Sequence, residues 1–303
     1  MPSDSSLANI RKAFQAVAGL ESLTAMDSFF FERSLNRACQ RAYDTSTSWN
    51  RYIIASERRT LGGVKIYGAT TTTAINQSYR LLGKDSNSHN IYEGLTTTDI
   101  HIYKNNTTNV WLITQGGTAS QTNGVWSRTG GSNKANSDAT TETNVASDDI
   151  VWNIETNLSI DNLNLIPFTS REGQDEIGQF IRIHKNQALL NNSAAEYDFF
   201  VDQYGANVLN ANFTDDKAFV TYKKAVSFDF NEDSTNVPNE FVDYILYSVL
   251  SDFYTGDGQT EKAMIASETA EAMLNKELFK IDVSTNNTIT KRKISTYVNT
   301  SGR

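Results

Sequence analysis

The chain has 303 residues and a formal net charge of −8, with 39% hydrophobic, 11% aromatic and 20% charged residues. Asn, Thr and Ser fill 91 positions (30, 33 and 28), which favours strands and turns, because Thr suits strands while Asn and Ser compete with helix backbone bonds. The aromatic content argues against a disordered chain, no run of about 18 apolar residues is present to span a membrane, and the acidic balance argues against nucleic acid as the main partner.

Residues 1 to about 66 read as mainly helical. Ile10, Ala13, Phe14 and Val17 share one helical face, and Gly19 can stop that helix. A second helix is expected from Asp27 or Ser28, either of which can cap it. Phe31, Leu35, Ala38 and Ala42 give it an amphipathic face, and Arg33, Arg37 and Arg41 line another. Such a basic row is a solvated face or an ion-pair face between subunits. Trp49, a strand at Tyr52–Ala55, and the break at Gly62-Gly63 follow.

From about 67 to about 165 the composition turns to Thr, Asn, Ser and Gly, with short alternating strands. Asn123-Gly124 is a hairpin-turn signal, and a flexible loop is expected around 131–146. This stretch reads as a small antiparallel β-module. Trp111, Trp126 and Trp152 either form its core or offer exposed faces to a glycan.

From about 166 onward the structure is expected to be mixed. Phe180–Ile183, Tyr197–Val201, Asn207–Asn210 and Ala218–Lys223 read as strands. A helix pair follows. Asn236 is the expected cap of its first member, whose apolar face is Phe241, Ile245 and Val249. The second is expected from Thr260 to Phe279, and a polar tail, 282–303, should order on a partner. The sequence therefore predicts an α+β fold: a helical bundle with a β-sheet or barrel core, formed by 1–66 with 166–281, and an inserted antiparallel β-module at 67–165.

Catalytic motifs are missing. There is no G-x-S-x-G, no phosphate loop and no H-E-x-x-H, and His89, His101 and His184 are scattered. His101, between Ile100 and Ile102, is expected to face solvent or a neighbour. Cys39 is the only cysteine, so an internal disulfide and a Cys-based zinc site are excluded, and it reads as a buried helical thiol. The first residues lack a basic region followed by an apolar block, so no signal peptide is expected, and assembly in a reducing cytoplasm fits. Asp229, Asn231, Asp233 and Glu240 match positions of a calcium loop, but Ser234 replaces its glycine and Pro238 interrupts it. It reads as an acidic loop before a helix. Paired carboxylates such as Asp198 with Asp202, or Glu93 with Asp99, are too unspecific to define a hydrolase. No enzyme, cofactor or metal is expected.

Read in order, the C-terminal third carries a resemblance. A strand ending Phe219-Val220-Thr221-Tyr222-Lys223 precedes Val237-Pro238-Asn239-Glu240-Phe241, then Asp252-Phe253, Asp257-Gly258-Gln259 and Glu261-Lys262-Ala263. An Ala- and Glu-rich helix follows, through Glu277-Leu278. With the N-terminal helix leading to Trp49, this resembles the tail tubular protein A family, the adaptor (gatekeeper) ring in the head-to-tail connector of short-tailed bacteriophages. The resemblance covers about 1–66 and 170–280. It implies a virion protein in a ring, usually of twelve subunits, between the portal protein and the tail nozzle protein, with DNA passing through its lumen unread. It further implies subunit contacts through the helices, with Arg33, Arg37, Arg41, Phe241 and Tyr244 as candidates. The C-terminal extension would clasp the portal, with Thr290, Lys291, Arg292, Lys293, Tyr297 and Arg303 as candidates. A tail fibre is a further partner for the insertion. The alternative is a receptor- or glycan-binding tail or fibre-associated protein acting through Trp111, Trp126 and Trp152.

Overall fold

Leu7, Ile10 and Phe14 recur at helical spacing, and α1 (Leu7–Ala18) buries all three. Gly19 ends it at φ 72°, and its amide donates to the Gln15 carbonyl. In α2 (Ala25–Asp44) the cap lies earlier than expected, at Thr24. Thr24 Oγ1 accepts from the Asp27 amide at 3.2 Å, while Asp27 Oδ2 accepts from the Thr24 amide at 3.1 Å. Asp27 therefore closes a capping box from inside the helix. The computed structural model describes residues 5–138, 142–148, 150–169, 173–187, 195–211, 216–231 and 235–300, with side chains up to 281.

Helix α3 (Val242–Gly256) also starts away from its expected cap. Pro238 holds an extended conformation (φ −54°, ψ 125°), so Asn236 lies outside the helix and forms an isolated bridge with Ser6. A short 3-10 turn, Asn239–Phe241, leads in. The last helix, α4 (Thr260–Thr300), continues 21 residues beyond Phe279, where the sequence reading ended it. No Gly or Pro interrupts that stretch. The backbone of the expected polar tail is thus helical to Thr300.

By its internal packing the chain divides into two units, Met1–Ile53 with Val226–Arg303, and Ile54–Ala225. The sequence reading drew these boundaries at 66/67 and 165/166. The change in composition marks where strands become short and polar, whereas the packing boundary lies where helices give way to strands. In the first unit a single apolar cluster draws on all four helices. Trp49 sits fully inside it, edge-on to Phe241 with centroids 4.9 Å apart, and its Nε1 donates to the Ala42 carbonyl at 3.1 Å. The indole ties the end of α2 to the entry of α3.

The second unit holds the strands. They are β1 (Ile53–Thr60), β2 (Gly63–Tyr67), β3 (Ser78–Lys84), β4 (Asn90–Gly94), β5 (Ile100–Lys104) and β6 (Trp111–Gln115). Then come β7 (Thr118–Thr122), β8 (Val125–Thr129), β9 (Ser132–Ser137), β10 (Trp152–Asn153) and β11 (Ser159–Leu163). The last are β12 (Leu165–Pro167), β13 (Ile177–His184), β14 (Phe199–Val201), β15 (Gly205–Val208) and β16 (Lys217–Lys224). Eight of them form an antiparallel sheet ordered β10-β9-β6-β5-β4-β3-β2-β11, curled into a half-barrel. Two three-stranded sheets, β1-β16-β13 and β12-β15-β14, and the β7-β8 hairpin complete the unit. Among the described residues this is a mixed α+β fold with four α-helices.

Asn123-Gly124 turns the β7-β8 hairpin as expected, with positive φ at both residues. The expected flexible loop at 131–146 instead contains β9, hydrogen-bonded between β6 and β10. Strand β9 buries only Ala135 and Ser137 and shows no apolar alternation, so its neighbours make it a strand. In the large sheet Tyr79, Tyr92, Ile102 and Ile113 point to one apolar core. On the opposite face the hairpin lays Trp126 over Leu82 and Ile91. Gly83, at φ 152°, makes this possible: a Cβ there would stand 2.5 Å from Trp126 Cδ1.

Candidate functional site

The helical unit carries the candidate contact surface. Along α2, Arg33 is exposed, while Arg37 and Arg41 both point to Asp252 of α3, at 3.6 and 3.4 Å. Two of the three arginines therefore have a partner within their own chain, and at this exposure such pairs contribute at most about 1 kcal/mol. A groove of about 640 Å³ runs beside them, with α3 contributing Ser248 and Ser251, α2 contributing Asp44, and α4 contributing Glu271 and Leu274. Phe241, proposed from the sequence as an interface residue, does not fit that role, while Tyr244, proposed with it, lines the groove. Phe241 is fully buried against Trp49 and Tyr52, and Tyr244 is 8% exposed, because the 3-10 turn aims this segment into the core. The large apolar side chains that α2 and α4 leave exposed are Met26 and Phe29, and Met264, Ile265 and Phe279. Amphipathic periodicity alone did not reveal them, since it marks the buried face.

Thr290, Lys291, Arg292, Lys293 and Tyr297 lie on the α4 backbone, but their side chains are outside the described residues, as is the whole of Arg303.

In the sheet unit Trp111, Trp126 and Trp152 are at most 4% exposed. Trp111 and Trp152 belong to the apolar core of the large sheet, and Trp111 Nε1 donates to the Glu142 carbonyl at 3.2 Å. None offers an exposed ring face to a ligand, so the core reading holds and stacking on these three rings is not available. Sequence reasoning missed the polar row on the opposite face. Strand pairing sets Arg80 beside Glu93, Glu93 beside His101, and His101 beside Thr114. Arg80 holds one Glu93 oxygen through Nε at 3.0 Å and Nη2 at 2.6 Å, and His101 Nε2 stands 3.6 Å from the other. Glu93 is 0% and His101 2% exposed, so His101 faces a buried neighbour and not solvent. The alternation of Glu93 and His101 with apolar residues was the available signal, but only the register joins them.

A second buried carboxylate, Glu155, accepts the backbone amides of Thr70, Thr71 and Thr72. Burial pushes its carboxyl up, but these amides outweigh it and hold Glu155 below the usual range. Ile154, just before it, has φ 75°, a strained value for a β-branched residue that the clasp over-determines. In the β1-β16-β13 sheet Tyr222 donates to Glu57 at 2.7 Å, and burial, then this bond, pushes the phenol up to about 12.

Each of these carboxylates is held by partners within the sheet unit. Asp202 accepts from the Tyr204 and Gly205 amides and from Asn207, while Asp198 accepts from Asn210. Asp202 closes a local turn, and Asp198 holds Asn210 twelve residues on. Asp233 and Ser234 of the calcium-like loop lie outside the described residues, and among the described residues no cluster could hold a metal ion. Cys39 is buried, and burial pushes its thiol up. No described helix is long and apolar enough to cross a membrane. Comparison with protein-family models, curated proteins and solved structures returned no match.

Proposed function

We propose that this chain is a structural virion protein, the adaptor ring of a phage head-to-tail connector that joins the portal to the tail nozzle and lines the DNA conduit. In this reading the four helices form a bundle that makes the subunit contacts, and the end of α4 reaches the portal. The observation that carries it is the exposed apolar set on α2 and α4, Met26, Phe29, Met264, Ile265 and Phe279, each more than half exposed in the isolated chain. In this reading these side chains belong to the surface that a neighbouring subunit covers, as contiguous exposed apolar patches do. A head-to-tail contact of that kind closes into a ring when the rotation between copies permits. The element order and the length of α4 also support it. A role as receptor- or glycan-binding protein through exposed tryptophan faces loses its support, because those rings are buried. The test is the oligomeric state of the purified full chain, alone and with portal rings. Met264→Asp with Phe279→Asp should reduce assembly while leaving the melting temperature within a few degrees, since neither residue is buried. Assembly indifferent to both changes would count against this surface.

A further inference from the structure

Two clefts flank the β7-β8 hairpin, and one of them gathers cations. It has a volume of about 450 Å³, within the range of small-ligand sites. Arg58 of β1, Lys84 at the end of β3 and Lys217 at the start of β16 line it. Lys84 pairs with Asp216 at 3.3 Å. Arg58 and Lys217 are exposed and have no ion-pair partner among the described residues. Three cations therefore face one described carboxylate, in a chain whose net charge is −8.

The cleft offers more than charge. Trp126 is 4% exposed, yet its Nε1 makes no hydrogen bond among the described residues. That edge of the indole is the one turned to Gly83, because Nε1 lies 2.8 Å from where a Cβ on Gly83 would stand. Gly83 lines this cleft and packs on that edge of the indole, so the two together form part of its wall. Gln121 of β7 adds an exposed side-chain amide, and Leu81 and Leu82 add apolar wall. An exposed amide and an apolar wall suit the hydroxyls and C–H face of a sugar, while the cations suit a carboxylate. A lone inorganic anion would use only the cations. Single-stranded nucleic acid would need exposed aromatic faces for stacking, which Trp126 does not supply.

We propose that this cleft binds a carboxylate-bearing oligosaccharide, with Arg58 and Lys217 holding the carboxylate, Gln121 holding a hydroxyl, and Leu81 and Leu82 facing the apolar side of the ring. The inference goes beyond the structural role proposed above and does not depend on it. It is tested by calorimetric titration of the full chain with trigalacturonic acid and with sialyllactose. Maltotriose, inorganic phosphate, hexaglutamate and a single-stranded oligodeoxynucleotide serve as competing classes. At least one acidic sugar should bind, and Arg58→Glu and Lys217→Glu should each weaken it by about tenfold or more, the size of one charge-assisted contact. Lys12→Glu, an exposed change in the helical unit, should leave binding unchanged, and all three variants should keep the parent melting temperature. Absence of binding by both acidic sugars would overturn the proposal. So would equal binding of any competing class, or binding that ignores the two charge reversals.

Discussion

The two units solve the burial problem differently. The helical unit has one apolar cluster fed by all four helices, with Trp49 at its centre. The sheet unit has three smaller clusters, and it buries ionisable side chains as well: Arg59, Arg80, Glu93, His101 and Glu155 are each at most 7% exposed. The Thr- and Asn-rich strands do not carry enough large apolar side chains to fill every layer. Polar groups take the remaining places, Arg80, Glu93 and Glu155 through hydrogen bonds, while neither His101 nitrogen has a hydrogen-bond partner among the described residues. That solution is tolerable only where each charge is held, because an unpaired buried charge costs several kcal/mol. The helical unit should therefore respond mainly to lost volume, and the sheet unit to lost partners.

The sharpest way to break that contrast is to unpair Glu93. Arg80→Ala should destabilise the sheet unit by about 3–5 kcal/mol, whereas Arg80→Met with Glu93→Leu should recover most of the loss. Trp49→Ala should cost the helical unit a comparable ~3–5 kcal/mol through cavity formation. Denaturant titration can separate the two, because three of the four tryptophans lie in the sheet unit while helix circular dichroism reports on the other. Gly83→Ala should be milder, about 1–3 kcal/mol, since the hairpin must shift Trp126 off the new methyl group. A smaller effect is expected from Glu155. Its folded carboxyl lies below the usual range, so its contribution is present above about pH 4.3, the unfolded value, and is lost as pH falls through the lower folded value. Melting temperatures between pH 2.5 and 7 should fall more steeply on the acid side in the parent than in Glu155→Gln. Least of all, Arg41→Gln should change stability by less than about 1 kcal/mol, because Arg41 and Asp252 remain partly in water.

Much of the helical unit was legible in the sequence. Ile10, Phe14, Phe31, Leu35, Ala38, Ile245 and Val249 all occupy the buried faces that their spacing marks. The errors were at ends: Thr24 caps α2, Pro238 delays α3, and α4 runs on because nothing stops it. In the sheet unit Asn123-Gly124 identified its hairpin, but β9 had no pattern of its own. The polar row was illegible for a physical reason. Arg80, Glu93 and His101 sit on three strands, and only the ladder register brings them together. Glu155 reaches amides 83 to 85 residues earlier in the chain, which no local pattern shows. The exposed apolar residues of α2 and α4 and the cations around the hairpin cleft were equally hidden, because exposure and convergence belong to the folded surface.

The adaptor reading rests on self-assembly through the helical unit. Negative-stain imaging of the purified full chain, alone and mixed with portal rings, addresses it directly. The account predicts closed rings, or chains seated on the portal ring, with seating lost when 282–303 are removed. A chain that stays monomeric and does not bind the portal would contradict it.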